Sequence, residues 1–244
     1  MASNPMHQFE VYSIGPEIIL GPVNLSFTNS SLFMVISSLS ILLLLFLATK
    51  KKSLIPSKIQ LVGEMSYAFV AKMISDTAGT NAKPFFPFIF TLFMFVLFCN
   101  MVGMLPYSFT VTSHIIVTFV LAAAIFIGVT VIGFIKHGIK YLELFVPKGV
   151  PVVLLPLIII IEVISYLSRP VSLSVRLFAN MMAGHTMLKV FGGFVISLGL
   201  LGGWLPLGFS VALTGLEILV AFLQAYVFAI LTCIYLNDAL NLHH

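Results

Sequence analysis

The chain has 244 residues, of which 60% are hydrophobic and only 8% are charged, and its mean hydropathy is +1.14. A soluble globular domain usually carries about a quarter charged residues, so this composition excludes that class and indicates an integral membrane protein. The formal net charge of +4 therefore does not point to nucleic acid, because the lysines cluster where they mark one side of a membrane.

Five apolar runs reach the length of about 20 residues that a helix needs to cross the hydrocarbon layer. They cover residues 32–49, 85–106, 110–135, 151–201 and 207–236. Only helices and closed barrels satisfy backbone polar groups in lipid. We therefore predict an all-α polytopic membrane protein in which residues 1–244 form a single membrane domain.

Residues 1–31 precede the first span, 32–49, as a polar segment without the basic start and short apolar core of a cleaved signal. Lysines gather in 50–83 and 136–150, whereas the links between the other spans carry no charge. The positive-inside rule places these two lysine-rich segments on the matrix or cytoplasmic side, and residues 1–31 outside.

Residues 57–78 predict an amphipathic helix that lies at the inner membrane surface. One face carries the apolar residues Val62, Met65, Phe69 and Met73, and the other carries Gln60, Glu64 and Lys72. This charge pattern argues against a spanning role.

Residues 85–135 predict an upright hairpin that turns near Pro106 on the outer side. Asn100 is the one strongly polar residue in its span. An interhelical hydrogen bond is the favoured role for its amide, with a part in transport as the alternative.

The last two runs are longer than the membrane is thick. As single helices, 151–201 would measure about 76 Å and 207–236 about 45 Å, against about 30 Å of hydrocarbon. If 151–201 broke near Arg169 and Pro170 and crossed twice, the 201–207 link would lie inside, where no lysine marks it. We therefore predict an inclined helical hairpin over 151–238, with a kink at Pro170.

Ionisable residues inside these long runs are candidates for function, because each is costly in lipid. They are Glu162, Arg169, Arg176, His185, Lys189, Glu217 and Asp238. The guanidinium of Arg176 stays charged and costs about 2.5–3.5 kcal/mol at the centre of the bilayer. Because no carboxylate lies one turn away, its partner must belong to another helix or another chain.

Helical phase places titratable residues on both sides of Arg176. Glu162 lies about 21 Å toward the inner surface on a similar face, and His185 about 13 Å toward the outer surface on nearly the opposite face. In an antiparallel hairpin Glu217 reaches the level of His185, and Asp238 lies toward Glu162. The sequence therefore predicts an outer pair and an inner pair.

Such an arrangement is what two offset access channels for an ion require. Titratable groups and water lead halfway in from each side, and the permanent charge of Arg176 blocks the direct path. A mobile carboxylate on a partner chain, at about 4 Å from the guanidinium, would gain about 4 kcal/mol in its charged form.

Structural roles remain as alternatives for most of these residues. His185 and Glu217 could form an inert buried pair, Glu162 could be a packing carboxylate, and Asp238 a solvated helix end. Arg169 could anchor the kink or bind a lipid headgroup. Lys189, His114 and Trp204 are interpreted as residues at the membrane interface. Cys99 and Cys233 are interpreted as packing residues.

The segments RPVSLSVRLFANMMAGH and GLEILVAFLQAYVFAILTCIYLNDALNLHH resemble the a subunit (subunit 6) family of F-type ATP synthases, of the mitochondrial or alphaproteobacterial type. FTNSSLFM, FVLFCNMVGMLPYSFTVTSH and GFIKHG fit the same family. The resemblance implies a non-catalytic, proton-translocating stator subunit, with an interfacial helix, an upright hairpin and a long inclined hairpin against a ring of c subunits.

The resemblance also implies roles for individual residues. Arg176 would be the essential charge at the c ring, with Asn180 and Gln224 as its polar neighbours. His185 and Glu217 would form the outer proton path, and Glu162 and Asp238 the inner path. It implies protons as the transported ion, no cofactor or metal, and as partners the c ring, a peripheral-stalk b-type subunit, other membrane-sector subunits and lipid. The expected location is the mitochondrial inner membrane, with the bacterial plasma membrane as the alternative.

Two other functions fit the sequence less well. A self-contained secondary transporter predicts an internal inverted repeat, whereas the two halves of this chain differ in span length and charge pattern. A haem-bearing membrane subunit would need two axial histidines facing one cavity, and His114 and His185 lie on separate segments.

Overall fold

The computed structural model describes residues 9–14, 19–20, 23–24, 26–50, 56–105, 108–146 and 154–241. The α-helices are Asn29–Lys50 (α1), Lys58–Ala78 (α2), Phe86–Gly103 (α3), Ile115–His137 (α4), Leu155–Gly202 (α5) and Trp204–Leu240 (α6). Short 3-10 segments cover Thr80–Phe85, Val111–Ser113 and Gly138–Phe145, and two strands, Ile19–Leu20 (β1) and Val23–Asn24 (β2), pair antiparallel before α1. Five helical stretches in the described part of the chain are long and apolar enough to cross a membrane, which confirms the predicted all-α polytopic class.

Helix α2 has two apolar faces rather than one. The Ser57 hydroxyl caps its N-terminus, and Gly79, with φ of 70°, ends it. Val70 and Ile74 are buried against the bundle, whereas Val62 is 50% exposed. Of the predicted apolar face, Val62 and Met65 are exposed, where lipid would cover them, whereas Met73 is buried and Phe69 contacts the rings of Phe93 and Phe222 on the neighbouring helices.

Asn100 connects three segments of the bundle from a fully buried position. Its Nδ2 donates to the Ala221 carbonyl of α6 at 3.2 Å, and its Oδ1 accepts from the Thr112 hydroxyl at 2.8 Å. Both ends of the amide are satisfied, so the predicted interhelical hydrogen bond is confirmed.

Helices α5 and α6 form the long hairpin, joined through Gly203 alone. With 48 and 37 residues they measure about 72 Å and 55 Å. Helix α5 continues through Pro170, so the alternative with two crossings is wrong, and its non-helical dihedrals occur at Gly199 instead (φ 60°, ψ −157°). A Cβ on Gly203 would lie 2.7 Å from the Gly199 carbonyl oxygen, so this tight turn requires glycine.

Helix α6 lies at the centre of the bundle and packs against α2, α3, α4 and α5. Its buried face carries small residues at four-residue spacing, and none of these is exposed: Ala221, Ala225, Ala229 and Cys233. In lipid the hydrophobic effect does not drive helices together. Close van der Waals packing does, and small side chains allow it.

The inner end of α6 is held by α4. Lys136 Nζ donates to the Leu240 carbonyl at 3.0 Å, and His137 Nε2 lies 3.2 Å from the same oxygen. The last carbonyls of a helix lack partners within it and carry partial negative charge, so cationic side chains stabilise this end. Lys136 therefore caps the C-terminal end of α6, besides belonging to the lysine-rich segment that the positive-inside rule is expected to place on the inner side.

Candidate functional site

Arg176 lies near the middle of α5, with its side chain exposed at the surface of the chain. No ion pair or hydrogen bond within the described ranges reaches its guanidinium. Because α5 is one of the stretches long and apolar enough to cross a membrane, this permanent charge would be costly unless water or another chain met it there. Within the described ranges, the neighbouring helices also supply no ion-pair or hydrogen-bond partner for the guanidinium.

Small residues flank Arg176 on the exposed face of α5. Ser172, Ala179 and Ala183 are all exposed, and together with Arg176 they follow a spacing of four, three and four residues. Residues at this spacing share one face of a helix. A second helix could therefore approach this face closely, with the guanidinium in the contact.

Two amide side chains accompany the arginine, Asn180 one turn along α5 and Gln224 on α6. Both are half-buried, and neither makes a hydrogen bond to any residue that the structure describes. Their amide groups are therefore available to water or to a partner.

His185 and Glu217 form an ion pair between α5 and α6, in which His185 Nδ1 contacts Glu217 Oε1. The two side chains are 11% and 5% exposed. His185 Nδ1 also lies 3.1 Å from the Met181 carbonyl, and Nε2 lies 2.9 Å from the Gly103 carbonyl. Both ring nitrogens therefore face oxygen atoms, and a neutral imidazole could donate to an acceptor from only one of them.

Gly184 makes room for the Glu217 carboxylate. A Cβ at position 184 would lie 2.9 Å from Glu217 Oε1 and 3.1 Å from Cδ. Among the described residues, His185 is the polar side chain that contacts the carboxylate. A buried carboxylate is costly without partners, so His185 is the neighbour on which the burial of Glu217 depends.

A cavity of about 580 Å³ with a mixed polar and apolar lining opens beside this pair. Besides His185 and Glu217, its polar and charged lining residues are Glu10, Tyr12, Asn29, Ser108 and Lys189. The lining therefore combines residues that precede α1 with residues of α5 and α6, and it offers water a route to the buried pair.

A second ion pair joins the two helices in the inner half. Arg169 Nη1 lies 3.0 Å from Asp238 Oδ2, and the side chains are 22% and 29% exposed. The guanidinium also lies over the rings of Tyr166 and Tyr235, at 5.3 and 5.0 Å from their centroids. The predicted inner pair needs correction, because Asp238 contacts Arg169, and no hydrogen bond or ion pair among the described residues joins it to half-buried Glu162.

The level of each residue along the hairpin explains this pairing. Counted from Gly203, Arg169 lies 34 residues before the turn and Asp238 lies 35 residues after it, whereas Glu162 lies 41 before. Equal counts place two residues at the same height in an antiparallel hairpin. These residue counts can be read from the sequence, but they predict the pairing of Arg169 with Asp238 only when the turn is known to lie at Gly203.

The two histidines considered for a haem lie in different surroundings. Protein oxygens face both ring nitrogens of His185. His114 lies outside the membrane-crossing helices and stacks on Phe109 at 5.0 Å, where burial lowers its pKa and a hydrogen bond to the Phe9 backbone opposes that shift. Over the described ranges, no three His, Cys, Asp or Glu residues come together as a metal site.

The ATP synthase A chain family matches residues 31–237 of this chain. ATP synthase subunit a of Pelagibacter ubique is 80% identical over 244 residues, which cover 100% of both chains. Subunit a of a Chelativorans species is 60% identical over 250 residues with 100% of both chains covered, and that of Rhizobium rhizogenes is 59% identical over 247 residues, with 99% of this chain and 98% of the relative covered. The chain therefore belongs to the ATP synthase A chain family and is a multi-pass, membrane-sector subunit of ATP synthase.

Proposed function

We propose that this chain is the proton-translocating stator subunit of its ATP synthase, and that it carries no catalytic site of its own. The observation that carries the proposal is Arg176, a permanent charge without a partner in the described chain, exposed on a face of small residues. A helix of a c-subunit ring could dock on that face and bring a carboxylate to the guanidinium.

The guanidinium would control the protonation of the ring carboxylate. At about 4 Å and an effective dielectric constant of about 20, it favours the charged carboxylate by about 4 kcal/mol. A proton is therefore released as the carboxylate arrives at Arg176 and is taken up again after it leaves. Asn180 and Gln224 would contact the ring beside the arginine.

Two half-channels would supply and remove these protons. The cavity and the pair of His185 and Glu217 support an outer path, and Glu162 with Asp238 are the candidates for an inner path. Arg176 lies between them and repels a proton that would cross directly. Each proton that crosses 100 mV supplies about 2.3 kcal/mol for rotation of the ring.

The proposal implies as partners the c ring, a peripheral-stalk b-type subunit, other membrane-sector subunits and lipid. The relatives named above are bacterial, which supports the bacterial plasma membrane over the mitochondrial location that the sequence suggested. No cofactor is required, because carboxylate, imidazole and water suffice to move a proton.

The test is Arg176→Ala in the assembled complex, with Ile160→Ala as the control, because Ile160 is 57% exposed on nearly the opposite face of α5. We expect Arg176→Ala to abolish proton-driven ATP synthesis in membrane vesicles, and Ile160→Ala to leave it unchanged. His185→Ala should slow synthesis and shift its pH dependence. Undiminished coupled synthesis by Arg176→Ala, at normal amounts of assembled complex, would refute the proposal.

A further inference from the structure

Residues that precede α1 form part of the wall of the cavity beside His185 and Glu217. Glu10 and Tyr12 line the cavity together with Asn29, the first residue of α1. The outer path therefore includes an N-terminal segment that the long hairpin alone does not provide.

Asn29 fixes the position of this segment. Its Nδ2 donates to the Glu10 carbonyl at 3.0 Å, its Oδ1 accepts from the Tyr12 N–H at 3.4 Å, and its own N–H donates to the Tyr12 carbonyl at 3.1 Å. Asn29 is only 2% exposed, so these bonds are shielded from competing water. Residues 10–12 are consequently attached to the rim of the cavity.

The cavity leads from an exposed carboxylate to a buried one. Glu10 is exposed, Glu217 is 6% exposed, and both line the same space of about 580 Å³. At about 30 Å³ for each water molecule, this space holds roughly twenty waters, enough for a continuous hydrogen-bonded path.

We infer that Glu10 is the proton-collecting carboxylate at the mouth of the outer half-channel, held in place by Asn29. The inference rests on the proposed function and extends it to the N-terminal segment. The carboxylate takes a proton from an external hydronium ion, which leaves as water. It then gives the proton to a cavity water, which passes it toward Glu217 and His185, and Glu10 returns to its charged form.

Charge at the mouth explains why a carboxylate is useful there. The other titratable side chains that line the cavity are Tyr12, Lys189, His185 and Glu217. The Lys189 ammonium repels incoming cations, whereas a carboxylate attracts them and raises their capture rate. Glu10 therefore offsets the field of Lys189 at the point where protons enter.

The test changes the charge at position 10 within one protein sample. Cells that carry the complex with Glu10→Cys are labelled from outside, either with an anionic sulfonatoethyl or with a cationic trimethylammonioethyl methanethiosulfonate, and ATP synthesis is then measured in their membranes. Cys99 and Cys233 are 1% and 0% exposed, so they are protected from both reagents. Val11→Cys is the matched control, because Val11 is 51% exposed and does not line the cavity.

We expect unlabelled Glu10→Cys to synthesise ATP about three- to tenfold more slowly than the parent chain, as befits the loss of one attracting charge. The anionic label should restore the rate and the cationic label should lower it further, with neither effect at Val11→Cys. If Glu10→Cys assembles poorly, Glu10→Gln should show the same loss and Glu10→Asp should retain the rate.

Equal rates for all charge states at position 10 would overturn the inference. Arg176→Ala in the same host separates this result from a failure of the proposed function. If Arg176→Ala abolishes synthesis while the charge at position 10 has no effect, only the role of Glu10 is refuted. If Arg176→Ala synthesises ATP normally, the half-channel function itself is refuted.

Discussion

Replacing Gly184 with alanine should slow proton uptake through the outer pair without unfolding the chain. The added Cβ would lie 2.9 Å from Glu217 Oε1, whereas ordinary contacts begin at 3.4 Å, so the carboxylate has to withdraw by about half an ångström. Misplacement of a reacting group by 1 Å can cost about 100-fold in rate. We therefore expect a loss of about tenfold, which corresponds to about 1.4 kcal/mol.

Gly192→Ala on the same helix is the matched control, because nothing lies within 4 Å of a Cβ built there. Both changes raise helix propensity by about 1 kcal/mol, so any general effect on α5 is common to the two variants. The assay is the initial rate of ATP synthesis in vesicles at a fixed proton gradient, normalised to the amount of assembled complex.

Equal rates for Gly184→Ala and Gly192→Ala would show that the position of the Glu217 carboxylate against His185 does not limit proton uptake. The role assigned to the close approach of Gly184 would then be wrong, even if His185 and Glu217 both prove essential.

Two further predictions concern the contacts that hold the bundle together. Alanine variants of Arg169 and Asp238, singly and combined, should reveal a coupling free energy of about 1–3 kcal/mol, between the values for exposed and buried ion pairs. The measurement is a double-mutant cycle on the denaturation of the purified complex, and strictly additive effects would contradict the pairing. Asn100→Ala should destabilise the complex by about 1–3 kcal/mol, because the Ala221 carbonyl and the Thr112 hydroxyl lose their partner. An unchanged midpoint of denaturation would show that this buried amide does not stabilise the bundle.

Long apolar runs made the helical architecture predictable from the sequence. Helices α5 and α6 are longer than the hydrocarbon layer is thick, and this length, together with the absence of lysine from the 201–207 link, predicted the hairpin. The positions of His185 and Glu217 in the sequence also place these residues at a comparable level along an antiparallel hairpin, and the ion pair between them agrees with that expectation. Both deductions use the rise of a helix, and the first also uses the thickness of a membrane and the placement of lysines.

Other contacts depend on the rotation and packing of helices, which hydropathy does not report. Asp238 was expected near Glu162, but the one-residue turn at Gly203 brings it level with Arg169. Hydropathy did not identify the side of α2 that packs against the protein. In lipid, side chains that face outward are as apolar as buried ones, so hydropathy does not distinguish the two sides. The outer cavity depends on hydrogen bonds between Asn29 and residues 10–12, which no periodicity encodes.

The attachments of α6 have a mechanical consequence. Asn100 holds the helix near its middle through the Ala221 carbonyl, and Lys136 with His137 holds it at the inner end through Leu240. Toward its outer end, most residues from Trp204 to Gly215 are exposed. Over its outer part α6 is joined to α5 by the turn at Gly203, by the pair of His185 with Glu217, and by the stacked rings of Phe191 and Phe209. If the proposed ring turns against this hairpin, its sideways force would therefore displace the outer parts of α5 and α6 together, while Gln224, between the two supports of α6, would keep its place.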